Sequence, residues 1–129
     1  MAFPSTYNFN YYRGDTFTFT VTPKGQDGNN FPLAATPGTS NYLSKMTVIG
    51  GTDSAPITAV INTSIDYVTN VITATITPSL RSTLVPGVYD YDLEIYRLDT
   101  SGTTIDKVYT LLAGRITVIA DITETTVGA

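Results

Sequence analysis

Three carboxylates at alternate positions, Asp90, Asp92 and Glu94, are the groups of this chain best spaced for chemistry. On an extended strand they line one face about 7 Å apart, a spacing that could hold a hard cation such as Ca²⁺ if a loop added further oxygens. No Asp-rich loop of the required spacing accompanies them, so cross-strand pairing with Lys107 or Arg97, or plain solvation, accounts for them. Paired carboxylates could also hydrolyse glycosides, given an acid of raised pKa in a sugar-binding cleft. The chain has no Trp to stack a sugar ring, and neither Cys nor His. That composition removes disulfides, thiolate and imidazole metal sites, and Ser-His or Cys-His nucleophile pairs. No catalytic residue, metal site or cofactor is expected, and the chain is read as non-enzymatic.

Two short motifs invite a binding reading. Arg13-Gly14-Asp15 matches an integrin-binding tripeptide, yet Gly-Asp ahead of a strand is ordinary turn punctuation, and the turn is the reading adopted. Asn62-Thr63-Ser64 fits a glycosylation sequon and is expected to be a loop. The nine tyrosines are more suggestive. Amphipathic rings bury area at interfaces for little entropy, although about half should belong to the core. Tyr11 and Tyr12 are adjacent, so one of the two must face outward unless a bulge intervenes. Tyr7, Phe9, Tyr11 and Tyr12, with Ile116 and Val118 on the last strand, form the expected interaction surface.

Charge and hydropathy narrow the partners. The formal net charge is −4, with seven Lys and Arg scattered between Arg13 and Arg115, which argues against a nucleic-acid surface. No stretch approaches the roughly 18 apolar residues of a membrane span. The opening MAFPSTYNFN lacks the basic and apolar regions of a signal peptide. A soluble chain made in the cytoplasm, with no membrane partner, is the expectation.

Strands must position these groups. Tyr7, Phe9 and Tyr11 alternate with Asn8 and Asn10, and Phe17, Phe19 and Val21 alternate with threonines. The two runs are broken at Arg13-Gly14. After turn chemistry over 24–30, Phe31-Pro32-Leu33 re-enters the apolar layer, and 36–40 reads as a loop between sheets. Strands follow at 42–49, 57–61 and 71–77. Thr77 and Pro78 then open a short helical turn near 78–84, with Leu80 and Leu84 on one face and Gly87 at its exit. In 88–95 the tyrosines and aliphatics Tyr89, Tyr91, Leu93 and Ile95 oppose the carboxylates, the pattern of a strand with one buried and one wet face. A Tyr just past such a corner suggests a tyrosine corner, its hydroxyl tied back to the loop backbone. A hairpin turn at 99–102 leads to a strand over 105–112, and Gly114 punctuates a last strand, 115–122. Turn signals every 8 to 12 residues or so predict an immunoglobulin-like antiparallel β-sandwich of about seven to nine strands. One domain spans 1–129, with the ends 1–6 and 123–129 extended, frayed or docked on a partner.

The segments YNFNYYRGDTFTFTVTP, TPSLRSTLVPGVYDYDLEIYR and TLLAGRITVIADIT together resemble a family of small tailed-phage virion proteins. That family carries an aromatic-x-RGD-T/S-F opening, a central L-x-x-G-x-Y-x-Y-D-L and a closing T-L-L-x-G-x-I-x-V-x-x-D. Gly14, Asp15, Phe17, Gly87, Tyr89, Asp92, Leu93, Gly114 and Asp121 carry the likeness over almost the whole chain. The chain is also similar in outline to the immunoglobulin-like N-terminal domain of phage baseplate upper proteins, without their receptor-binding extension. The resemblance implies a virion location, a homo-oligomer around a symmetry axis and other virion structural proteins as partners. It implies a docking or assembly module of the tail, neck or baseplate. A capsid decoration protein on the head is the alternative, and an adhesin-like host-surface module, acting through loops such as 31–40, is a further one. The strand over 7–12 carries no charge and no Pro, so it or the strand over 116–122 is expected to be paired or covered in the particle.

Overall fold

The computed structural model describes residues 4–52, 54–120 and 122. Among them lie eight strands: β1 (Ser5–Thr6), β2 (Phe9–Tyr12), β3 (Phe17–Val21), β4 (Tyr42–Thr52), β5 (Ala55–Asp66), β6 (Val71–Ile76), β7 (Gly87–Leu98) and β8 (Ile105–Ile119). Alternation built them: in β6, Ile72, Ala74 and Ile76 are buried while their neighbours are half-exposed, as a pleat with two unlike faces requires.

The order is β1/β2, β8, β7, β4 and β5 in one sheet, and β5, β6 and β3 in the other. β5 belongs to both. Its first half pairs with β4 up to Ile61, and its second half, from Asn62 to Asp66, pairs with β6. Met46, Val48, Leu93 and Ile95 from the first sheet meet Ile61, Ile72 and Ile76 near the switch and from the second in one buried cluster. The chain is an immunoglobulin-like β-sandwich, and one departure from a wholly antiparallel design sits at its edge. β1 and β2 run parallel to β8, with Ser5 opposite Leu112 and Phe9 opposite Ile116.

Several boundaries differ from the sequence reading for physical reasons. The expected strand over 7–12 is shortened to β2, and β1 is a separate strand before it; between them lie Tyr7 and Asn8, and the Asn8 amide oxygen accepts the Arg115 N–H at 2.9 Å. The two strands expected on either side of Gly114 are one, β8, because Gly114 serves contact rather than a turn. A Cβ there would collide with the Tyr7 carbonyl. Asn62-Thr63-Ser64 is strand, not loop: Thr63 faces inward and donates or accepts a 2.7 Å bond with Ser44 across the switch. The helical turn is a single 3-10 turn, Pro78–Leu80, and Thr77 bonds Ser79 rather than capping it. Leu84 is nonetheless fully buried. A register slip places Leu93 opposite Leu112 and Glu94 opposite Thr110. This bulge lets the consecutive residues Leu111 and Leu112 both face the core. The expected tail over 123–129, and Asp121, lie outside the described residues.

Candidate interaction surface

The six residues expected to form a contact surface divide sharply. Phe9, Tyr11, Ile116 and Val118 belong to the core, with exposures of 8%, 1%, 0% and 3%. They are corrected here from surface to interior. The parallel ladder explains it: Phe9 lies opposite Ile116 and Tyr11 opposite Val118, all four on the inward face. The two strands whose edges were expected to need covering pair with each other. Tyr7 and Tyr12 remain outside, at 41% and 52%, so of the adjacent pair it is Tyr12 that points outward.

An aromatic cluster closes the sandwich at this edge. Phe9 of β2 stacks on Phe17 of β3 at 4.8 Å and meets Tyr91 edge-on at 5.5 Å, while Tyr7 reaches Phe9 at 5.3 Å and Phe19 at 5.9 Å. Such offset and edge-to-face pairs add to plain area burial.

Tyrosine hydroxyls tie strands to loops. Tyr89 donates to the Val85 carbonyl at 2.6 Å, the tyrosine corner expected from the sequence. Tyr11 donates to the Asp15 carbonyl at 2.6 Å, Tyr91 to the Tyr7 carbonyl and Tyr67 to the Tyr42 carbonyl. Burial pushes the Tyr91 phenol up to about 12 and raises those of Tyr11, Tyr42, Tyr67 and Tyr89, because desolvation disfavours the phenolate.

The Arg13-Gly14-Asp15 segment is a built turn. Gly14 has φ +87° and packs its backbone against the Arg81 guanidinium, Asp15 N–H donates to the Tyr12 carbonyl at 3.0 Å, and Arg13 Nε donates to the Arg81 carbonyl at 2.8 Å. An arginine so occupied is not displayed for a receptor.

The carboxylates of β7 diverge. Asp90 lies 3.7 Å from Arg115, not from the expected Arg97 or Lys107. Arg97 instead bonds Asp106 at 2.6 Å, which raises its pKa further. Among the described residues, no three acidic side chains come together in a way that could hold a metal ion.

What the sequence reading missed is an apolar row on the outer face of the first sheet. Leu43, Tyr96 and Val108 stand side by side on β4, β7 and β8. Leu43 and Val108 are 39% and 49% exposed, and Ile105 beside them 56%. The signal was present, since Leu43 falls on the same strand face as Lys45, and Val108 on that of Asp106 and Thr110, which places apolar groups on the wet face. A second missed residue is Asn70, in the left-handed region at φ +62° and buried. Its Oδ1 accepts the Leu33 N–H at 3.0 Å and its Nδ2 donates to the Phe31 carbonyl at 2.8 Å. It thereby pins the crossing segment to the β5–β6 turn.

Comparison with protein-family models finds no match, and comparison with curated proteins finds none either. Among the described residues no helix is long and apolar enough to cross a membrane.

Proposed function

We propose that this chain is a non-enzymatic structural protein of a tailed-phage virion, an oligomeric assembly module of the tail, neck or baseplate. The observation that carries this reading is the row Leu43, Tyr96 and Val108 with Ile105, an apolar strip on a three-strand sheet face. Contiguous exposed apolar surface of this kind favours a protein partner. The resemblance supplies the setting, and its motif residues do scaffold work in this fold: Gly14 admits the turn, Tyr89 ties the corner and Gly114 admits the β1–β8 seam. Other virion proteins and further copies of the chain are the proposed partners, and the virion the proposed location.

The host-binding alternative receives less support. In the segment 31–40, Leu33 is buried, Phe31 packs on Tyr42 and Tyr109, and Thr36 and Thr39 bond each other, which leaves a self-satisfied crossing rather than an open ligand loop.

Purified protein added back to particles lacking it, followed by cryo-electron microscopy, tests the proposal. A ring of density at the tail, neck or baseplate is the expected result. Density spread over the capsid lattice would replace it with a decoration role, and absence of rebinding would revive the host-surface module.

A further inference from the structure

Every open sheet leaves edge strands, and in this molecule the edges are unequally defended. The free side of β5 over 55–61 carries Pro56, and the open part of β8 carries the exposed charges Asp106 and Lys107. Both are recognised blocks to strand addition. On β2 the inward residues Phe9 and Tyr11 are already buried, so an added strand would cover little. β3 differs on both counts. It pairs with β6 only, has no charge, Pro or Gly from Thr16 to Thr22, and leaves Phe17, Phe19 and Val21 half-exposed on its core-facing side. Beside it lies an apolar groove of about 270 Å³ lined by Tyr7, Phe19, Thr20, Val21 and Leu112.

The sequence of β3 is complementary to itself. When two copies run antiparallel about Phe19, Phe19 faces Phe19, Phe17 faces Val21, and Thr18 faces Thr20, all pair types that stabilise antiparallel ladders. The flanks match as well. Two steps beyond the ladder, Asp15 of one copy lies opposite Pro23 of the other, next in sequence to Lys24, at both ends by symmetry, and both charged residues are exposed. Opposite charges thus stand at neighbouring positions across the two-fold, where a parallel in-register pairing would separate them. An isologous two-fold contact requires such self-complementarity.

We infer that β3 is the self-association edge of this protein, joining a second copy through an antiparallel β3–β3 ladder that makes one continuous sheet across the dimer. This deepens the assembly reading and rests on it for its purpose, but its test does not involve the particle.

Sedimentation equilibrium of the purified chain should give a concentration-dependent dimer. Thr18→Lys with Thr20→Lys, both on the exposed side of the strand, sets like charges opposite each other twice and should raise the dimer dissociation constant roughly tenfold or more. Asp15→Lys alone should also weaken the dimer, and Asp15→Lys with Lys24→Asp should restore it, a rescue that holds even if the threonine variant folds poorly by circular dichroism. A chain that stays monomeric up to about 1 mM, a concentration at which even weak specific pairs associate, would overturn the inference. So would a dimer indifferent to all these changes. A monomer that rebinds particles, and loses rebinding with the threonine variant, would reassign the edge to a strand of another protein and leave the proposed function standing.

Discussion

At the scale of single residues, phenol groups do the work that caps and disulfides do elsewhere. Tyr89→Phe removes only the hydroxyl bonded to Val85. It should cost about 1 kcal/mol, the usual net value of one intramolecular hydrogen bond, and lower the melting temperature by a few degrees in calorimetry. Tyr91 makes a pH prediction. Burial pushes its phenol up to about 12 from the ordinary value of 10.0, while its hydroxyl donates to the Tyr7 carbonyl. Between those values the unfolded chain releases the proton and the folded chain keeps it, so stability is fully present below pH 10 and falls as the pH rises toward 12. Melting temperatures measured from pH 8 to 12 should show this alkaline loss, and Tyr91→Phe should flatten that part of the curve. An unchanged profile would mean that other buried tyrosines carry it.

At the scale of elements, the seam between the N-terminal strands and β8 depends on one missing side chain. In Gly114→Ala the new Cβ would meet the Tyr7 carbonyl, and Asn8 Oδ1 at 2.9 Å. We expect about 1–3 kcal/mol of destabilisation, typical of overpacking. Amide exchange should accelerate at Tyr7, which donates to Ala113 at 3.1 Å, and at Arg115; unaltered exchange there would show that the seam tolerates the methyl. The sequence pattern made β3, β6 and the body of β7 legible, because each alternates between apolar and polar residues without interruption. The tyrosine corner was legible too, since a Pro-Gly corner followed by Tyr has a local geometry. What alternation leaves open is which strand lies beside which. Phe9 and Tyr11 share a face in the sequence, but only the parallel ladder with β8 shows that this face is the core. For the same reason Gly114 looked like punctuation, and the long β5, whose two halves serve different sheets, looked like a strand followed by a loop. Asn70 left a fainter trace: a turn opened by Asp66, whose carboxylate accepts the Val68 and Thr69 amides, and ending in Asn, which after glycine tolerates positive φ best.

For the whole molecule, the apolar row should matter to assembly and not to folding. Leu43→Glu with Val108→Glu changes two side chains already in contact with water. Stability should stay within about 0.5 kcal/mol for each substitution, as for most surface changes, while rebinding to depleted particles falls well below that of the unaltered protein. Full rebinding by the variant would show that the row is not the docking face. A last consequence follows from the direction of the outermost ladder. Because β2 runs parallel to β8, a pull that enters at Ser5 and leaves at Ile119 slides these two strands along each other. The Phe9–Tyr12 hydrogen bonds must then yield together instead of peeling one by one. The seam is loaded in shear, the geometry in which a short ladder resists tension best.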